Sequence, residues 1–322
     1  MDRNTPSGES IDQGEISARM NSLLGGRGRQ RRIRVIINPI SEKGEPALNI
    51  LNSAFRAAEV DWDVSVTKDL GDAQRFAREA VEAGVDVVAV YGGDGTVSDA
   101  ASGMLGSQTP LAILPGGTGN VIATELGIPG KLVDACALAA NPEARVRLID
   151  MGEINGGQYF LLRASVGFEA LMVEGANREL KERFGSFAYT LSGLKYLVNP
   201  QIFEYRLNLD GLPVEIPGLT CILANSGAVG APGIQIAPDI KVDDGLLDVI
   251  VVRQADLASL ASLVVNVVGG RENPQQLAHW QAKQVTIETE QPQNVQSDGE
   301  IIGQTPMAAR ILPQAMRVVV PH

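Results

Sequence analysis

The residues best suited to chemistry lie in a glycine-rich loop, Gly92-Gly-Asp-Gly-Thr96, which follows an apolar run over 85–91. The run has the length and the β-branched content of a strand buried on both faces. The three glycines let the backbone turn sharply, so that several N–H groups can approach one ligand. The following residues, 96–105, are compatible with a helix whose positive end faces the same ligand. This arrangement suits phosphate.

Asp94 is the unexpected member of this loop. A carboxylate beside polyphosphate is repelled unless a cation or a transferable proton lies between them, so Asp94 indicates Mg²⁺ or acid–base work. A glycine turn with a solvated aspartate is the alternative for any single match of this kind. The loop alone therefore does not decide the function.

Composition limits the remaining classes of function. The chain has 322 residues, enough for two domains, with 44% hydrophobic residues. A net charge of −11 and an aromatic content of 4% argue against a nucleic-acid partner. Cys136 and Cys221 have no paired spacing, so neither a disulfide framework nor a zinc site is expected. The only histidines are His279 and His322, so catalysis is expected to depend on carboxylates and a metal.

The chain shows no signal for export or for membrane insertion. Residues 1–31 have no apolar core and are predicted to be a flexible tail. The end of this tail is basic, with Arg27, Arg29, Arg31, Arg32 and Arg34. We interpret it as a solvated leader, and a weak contact with anionic lipid headgroups is the alternative. The longest membrane-like run, Leu257 to Val268, is too short to cross a bilayer, which takes about 20 residues. We expect a cytoplasmic protein with no transmembrane segment, and contact at a membrane periphery stays open as a further expectation.

Strands and helices alternate from residue 32 to about residue 145, and this pattern predicts an α/β domain with a parallel sheet. Loops at the carboxyl ends of such strands gather at one edge of the sheet, where ligands bind. Three of these loops carry Asn38, Gly92 to Thr96, and Gly116 to Asn120. We expect them to converge on one ligand.

The second half changes character. Short alternating runs separated by glycine or proline turns predict an antiparallel β-sandwich over 146–311. Residues 312–322 are a candidate completion of the first domain. Two helical stretches, 171–198 and 257–268, interrupt the β pattern.

Two acidic turns in this half have residue types suited to chemistry. Asp243-Asp-Gly-Leu-Leu-Asp248 could hold a hard cation with one carboxylate and backbone carbonyls, although an Asp-Gly hairpin turn fits equally well. In Ser297-Asp-Gly-Glu300, the last residue could accept a proton, and a plain surface turn is the alternative.

Together the motifs resemble the diacylglycerol kinase catalytic-domain family, which includes soluble bacterial lipid kinases and the sphingosine and ceramide kinases. The resemblance covers nearly all of 33–321, and its motifs occur in the family's order. They are Asn38-Pro39, Gly92-Gly-Asp-Gly-Thr96, Gly116-Gly-Thr-Gly-Asn120, Ser165-Val-Gly-Phe-Glu-Ala170, Asp243-Asp-Gly-Leu-Leu-Asp248 and Asp298-Gly-Glu300.

The resemblance implies ATP-dependent phosphorylation of a lipid hydroxyl, diacylglycerol-like or sphingoid-like, in a cleft between the two domains. Glu300 would be the proton acceptor and Asp94 would orient the Mg²⁺-nucleotide, although some relatives are thought to use the equivalent aspartate as the base. The implied metal ligands are the Asp244 side chain and the backbone carbonyls of Lys241 and Leu246. The implied nucleotide-binding residues include members of the converging loops. They are Asn38, Thr67, Gly92, Gly93, Asp94, Gly95, Thr96, Val97, Ser98, Gly117 and Thr118.

This chain departs from the family at a few positions. Ser98-Asp99 stands where many members have Asn-Glu, and Val121 stands where many bacterial members have Asp. Glu169 replaces the usual Asp, and Ala231-Pro232 replaces glycines. The last two changes are expected on the lipid side and leave the acceptor undecided.

Two other functions remain as alternatives. An NAD kinase-like enzyme with a soluble substrate shares Gly-Gly-Asp-Gly-Thr, but the Pro-Gly-Gly-Thr-Gly-Asn loop and the Asp-Gly-Glu turn favour a lipid kinase. A non-catalytic protein that binds lipid or nucleotide is the second alternative, and the retained Asp94, Asp244 and Glu300 argue against it. The stretch from Arg178 to Lys195 mixes apolar and basic residues, as a helix at a lipid surface would, or as a helix packed on the sandwich would. A homodimer is left open beside a monomer.

Overall fold

The computed structural model describes residues 13–24, 31–41, 46–167, 201–228, 236–237, 239–253 and 277–322. The helical stretches predicted over 171–198 and 257–268 lie outside these ranges. So does the candidate lipid-facing stretch from Arg178 to Lys195.

The first domain alternates strands and helices, as the sequence pattern predicts. Its elements in chain order are α1 (Gln13–Leu24), β1 (Arg32–Ile37), a short 3₁₀ turn (Pro39–Ser41), α2 (Ala47–Ala57), β2 (Asp61–Val66), α3 (Asp72–Glu82), β3 (Val87–Gly92), α4 (Asp94–Gly103), β4 (Leu111–Pro115), α5 (Val121–Glu125) and α6 (Leu132–Ala140).

The strands of this domain form a parallel sheet in the order β2-β1-β3-β4. Their carboxyl ends are level, because Ile37 lies beside both Val66 and Tyr91, and Tyr91 lies beside Leu114. Every residue of β3 is buried, since its side chains alternate between two cores. One core lies under α3, α4 and α5, and the other lies under α1, α2 and α6. The loops that follow Ile37, Gly92 and Pro115 are therefore brought to one edge.

Helix α1 corrects the prediction of a flexible tail over residues 1–31, which is wrong for residues 13–24. Ile16 is 4% exposed and Met20 is fully buried in the core beneath α2 and α6. Arg19 adds an ion pair with Asp134 of α6, with 2.9 Å between Nε and Oδ1. The two apolar residues are one helical turn apart, so they share a face. Two apolar residues among polar ones are too weak a pattern to predict a helix from the sequence. The helix is stabilised by packing against the core beneath α2 and α6.

The second domain is an antiparallel β-sandwich, as predicted. Its strands are β5 (Arg145–Ile154), β6 (Gln158–Phe160), β7 (Arg163–Gly167), β8 (Phe203–Leu209), β9 (Leu212–Gly218), β10 (Thr220–Ala224), β11 (Leu247–Val252), β12 (Leu277–Ala282), β13 (Gln284–Thr289), β14 (Asn294–Ser297), β15 (Glu300–Gln304) and β16 (Met307–Val320). One sheet has the order β12-β11-β10-β7-β14-β15. Its apolar face packs against β8, β9, β13 and the first half of β16.

Strand β16 belongs to both domains. Its first half pairs with β13 in the sandwich, and Val318 in its second half lies parallel to Leu111 of β4. Strand β5 follows β16 along both halves, with an irregularity between Leu312 and Met316. The parallel sheet therefore continues into one sheet of the sandwich.

Candidate active site

The two glycine loops at the edge of the parallel sheet touch each other through their backbones. The N–H of Gly116 donates to the carbonyl of Gly92 at 3.0 Å. A Cβ added to Gly117 would lie 2.5 Å from the Cα of Gly93, which is closer than a side chain can approach backbone. A Cβ on Gly92 would lie 2.8 Å from the Cβ of Thr96. Glycine is therefore required here by close packing, which also fixes where the amide groups of the first loop point.

Asn38 joins the end of β1 to the first glycine loop. Its backbone N–H donates to the carbonyl of Tyr91 at 3.0 Å, and its Nδ2 donates to Oγ1 of Thr96 at 2.9 Å. Its Oδ1 accepts from the N–H of Ile40 at 3.0 Å. The side chain thus orients Thr96 at the start of α4.

Asp94 points away from the open side of the loop, toward the start of α5. Its Oδ1 accepts from the N–H of Ile122 at 3.1 Å, and the N–H of Val121 also bonds to this carboxylate. Burial raises the pKa of Asp94, and repulsion from Asp298 adds to this effect, while the two N–H groups oppose it. Asp94 therefore joins the first glycine loop to the start of α5, which directly follows the second glycine loop.

A cavity of about 500 Å³ lies between the two domains. It is lined from the first domain by Asn38, the loop after β2, the first glycine loop and parts of α3 and α4, and from the second by residues 157–159, the Ser297–Glu300 turn and Ile302. The second glycine loop, which we expected to converge on the same ligand, does not line it. Of the predicted site residues, the cavity brings together Asn38, Thr67, Gly93, Gly95, Thr96, Ser98 and Glu300. The remaining predicted nucleotide residues do not line it, and these are Gly92, Asp94, Val97, Gly117 and Thr118.

The lining of this cavity is acidic. It contains Asp69, Asp99, Asp298 and Glu300, and no Lys or Arg occurs among the described residues that line it. Asp99 is already engaged, since its Oδ2 accepts from the N–H of Gln74 at 3.2 Å at the start of α3. Burial raises the pKa of Asp99, and the backbone N–H groups that donate to its carboxylate lower that pKa. A polyphosphate would be repelled from such a cavity unless a cation accompanied it.

Glu300 begins β15 and faces the cavity, but its side chain is exposed. The turn before it is left-handed at Asp298 and Gly299, with φ of 43° and 98°.

Asp298 has a structural role that the sequence reasoning missed. Its carboxylate accepts from Oγ of Ser98 at 2.5 Å and from three consecutive backbone N–H groups of the segment that leads into β7. Burial raises the pKa of Asp298, and these hydrogen bonds oppose that shift. The donors lie about 135 to 200 positions away along the chain. The only local signal was the Asp-Gly pair before Glu300.

The predicted metal turn lies outside the cavity lining and is held by a residue that we also missed. Oδ1 of Asp244 accepts from the N–H of Leu246 at 3.0 Å. The buried Asp150 accepts from the N–H of Gly245 at 2.6 Å and from that of Gln314 at 2.7 Å. Asp150 thereby ties the turn to β5 and β16.

Excess negative charge at this turn fits a hard cation. The pKa of Asp244 is raised by burial and by repulsion from Asp248 and Asp150, with Lys241 opposing. Oδ2 of Asp248 is buried and has no hydrogen-bond partner within the described structure. Among all the residues that the structure describes, no three His, Cys, Asp or Glu side chains are grouped so that they could hold a metal ion. A cation here would therefore depend on backbone carbonyls as well as on Asp244.

Two family models match this chain. The diacylglycerol kinase catalytic domain matches residues 32–154, and the YegS C-terminal NAD kinase beta sandwich-like domain matches residues 163–320. A protein from Chromohalobacter salexigens named "Probable lipid kinase YegS-like" is 34% identical over 264 residues, which cover 80% of this chain and 84% of that protein. The chain belongs to the diacylglycerol kinase catalytic-domain family.

Other members of the family agree in length and in fold. A diacylglycerol kinase of Bacillus subtilis is 29% identical over 298 residues, which cover 90% of this chain and 97% of that protein. A crystal structure of a diacylglycerol kinase from Bacillus anthracis superposes with a TM-score of 0.72 at 25% identity, covering 91% of this chain and 98% of that chain. These names support a lipid kinase-like function.

Some family features lie beyond the positions that the structure describes. Glu169 and Ala231-Pro232, where this chain departs from the family, fall outside those ranges. None of the described helices is long and apolar enough to span a membrane.

Proposed function

We propose that this protein transfers the γ-phosphoryl group of ATP to the hydroxyl of a lipid. The observation that carries the proposal is the cavity between the domains, where the first turn of α4 lies on one side and Glu300 on the other. Phosphoryl transfer depends mainly on positioning and on neutralising charge. The N-terminus of α4 could bind and partly neutralise the phosphates, and the cleft would position the lipid hydroxyl between them and Glu300.

The nucleotide phosphates would bind at the start of α4. Gly93, Gly95 and Thr96 line the cavity there, and the amide groups of a first helical turn attract anions. Mg²⁺ bound with ATP would neutralise charge between the phosphates and the acidic lining. Thr67 lines the same cavity and would contact the nucleotide, while the exposed Thr118 would take part only if the second loop contacts the ligand.

The lipid hydroxyl would approach from the side of Glu300. This carboxylate is exposed in the structure, and a bound lipid would cover it and strengthen its affinity for the proton. Glu300 would then take the proton of the hydroxyl as the oxygen attacks phosphorus. Because the acceptor is a lipid, we place the reaction at a membrane surface.

A second Mg²⁺ would be held at the metal turn by the Asp244 side chain and the carbonyls of Lys241 and Leu246. The charge around Asp150, Asp244 and Asp248 supports this assignment. When bound there, the cation would supply charge neutralisation that fixes the turn.

Incubation of the purified protein with radiolabelled ATP, Mg²⁺ and a total bacterial lipid extract tests the proposal. We expect the label in the organic phase. Label in a water-soluble product formed from NAD would instead indicate an NAD kinase-like enzyme. No transfer to either acceptor would favour a non-catalytic binding protein.

Asp94→Asn is expected to lower turnover at least about tenfold, because the substitution removes a charge and weakens the bonds that join the first glycine loop to the start of α5. Steady-state kinetics in the lipid assay, beside a melting curve, measure this. Near-normal turnover with an unchanged melting temperature would contradict a role for this carboxylate.

Asp244→Ala is expected to lower both stability and activity, and excess Mg²⁺ should partly restore them by mass action. Melting temperature as a function of Mg²⁺ concentration measures the effect. Asp243→Ala is the matched control, since Asp243 bonds to Arg147 at 2.7 Å and is not a proposed ligand. Equal Mg²⁺ dependence in the two variants would leave a simple turn as the explanation.

A further inference from the structure

A side-chain hydrogen bond between two residues that line the cavity joins the two domains. Oγ of Ser98, on α4, donates to Oδ2 of Asp298 at 2.5 Å, across 200 positions of sequence. Ser98 is only 6% exposed, and its hydroxyl has one hydrogen to donate. That hydrogen is committed to Asp298 and is not available for a nucleotide oxygen.

Asp298 is itself held firmly on the second domain. The backbone N–H groups of Leu161, Leu162 and Arg163 donate to its carboxylate at 2.8, 3.1 and 2.9 Å. Its own N–H donates to the carbonyl of Arg163 at 3.0 Å. The turn that carries Glu300 is therefore attached to the start of β7. Its hydrogen bond to Ser98 also attaches it to α4.

The other end of this tie is the phosphate-binding terminus of α4. Thr96 lies two residues before Ser98 and is oriented by Asn38. The Ser98–Asp298 bond thus sets the position of the Glu300 turn relative to the helix terminus that would hold the phosphates. Neither residue needs to touch a substrate to do this.

We infer that Ser98 is a positioning residue that aligns Glu300 with the phosphate-binding end of α4, rather than a ligand of the nucleotide. The inference rests on the proposed function, because it assigns Ser98 a task in the same transfer. It also differs from our expectation that Ser98 binds the nucleotide.

Ser98→Ala should reduce kcat by about 10- to 100-fold, since misplacing a reacting group by roughly 1 Å can cost about 10²-fold. The KM for ATP should stay within about twofold, because the amide groups of α4 are untouched. Should Ser98→Ala fail to fold, Ser98→Cys keeps the volume and weakens the donor.

Ser226→Ala is the matched control. Oγ of Ser226 donates to Oε2 of Glu125 at 3.0 Å, and the N–H of Ala228 donates to the same oxygen at 3.1 Å. Like Ser98, this serine links the two domains. In Ser226→Ala the carboxylate of Glu125 still accepts from the N–H of Ala228, just as Asp298 keeps its backbone donors in Ser98→Ala. Loss of the Ser226 hydroxyl is expected to lower the melting temperature while kcat stays within about twofold, since no tie to Glu300 is cut.

A double-mutant cycle decides the inference. Ser98→Ala and Glu300→Gln are made singly and together, and kcat is measured with radiolabelled ATP, Mg²⁺ and the total lipid extract. If Ser98 acts through Glu300, then Ser98→Ala should change kcat less than about twofold in the Glu300→Gln background. Ser226→Ala is measured in both backgrounds.

The outcomes separate this inference from the function on which it rests. The positioning role alone is overturned if the losses of kcat in the two single variants multiply in the double variant. It is also overturned if Ser98→Ala has a normal kcat. A rise in the KM for ATP at constant kcat would return Ser98 to nucleotide binding and also overturn it. If the unmodified protein phosphorylates no lipid, the proposed function fails and the inference fails with it.

Discussion

Glu300→Gln is expected to lower kcat by about 10²- to 10⁴-fold, which is the usual contribution of a general base. Glutamine keeps the shape and the hydrogen-bonding capacity of the side chain but cannot take the proton of the lipid hydroxyl. The affinity for ATP should be unchanged, because Glu300 lies across the cavity from the first turn of α4. Turnover in the lipid assay and equilibrium binding of ATP measure the two effects separately.

Glu204→Gln is a suitable control, since Glu204 is an exposed glutamate on β8 that does not line the cavity. It should leave kcat unchanged. The assignment of Glu300 is wrong if Glu300→Gln retains most of its kcat while Asp94→Asn abolishes chemistry without weakening ATP binding. The base would then be Asp94, whose pKa is raised by burial.

Gly117→Ala is expected to weaken ATP binding by about 10- to 100-fold. The added Cβ would lie 2.5 Å from the Cα of Gly93, so the two glycine loops must separate. Overpacking of this kind costs about 1–3 kcal/mol. The free protein can relieve this cost by separating the loops, whereas binding of ATP requires them together, and each difference of about 1.4 kcal/mol between the two states lowers the affinity tenfold. The amide groups of the first glycine loop would then shift from their present positions. Titration with ATP and Mg²⁺, followed by calorimetry, measures the loss.

Gly130→Ala provides the matched control for this substitution. A Cβ at Gly130 meets nothing within 4 Å, so the same chemical change adds no contact. Binding should be unchanged there. Equal affinities in the two variants would show that the loops tolerate separation and that the amides of α4 are not the phosphate ligands.

The sequence by itself determined the architecture of both domains. Periods of 3.6 and 2 residues report which side chains a helix or a strand buries, and these local patterns survive packing. The level carboxyl ends of β1, β3 and β4 follow from the parallel sheet, so the gathering of Asn38 and the glycine loops at one edge was predictable. The acidic turns were visible as well, because Asp-Gly pairs report local conformation.

Only the tertiary structure decided what the carboxylates do. Asp298 and Asp150 are bound by backbone N–H groups that lie far away in sequence, and no local pattern reports such partners. Asp94 likewise turns to α5, because the N–H groups at the start of that helix bond to its carboxylate. The same limit applies to α1, whose two apolar residues become decisive only against the core beneath α2 and α6. Local periodicity thus sets the elements, whereas burial and long-range donors set the task of each charged group.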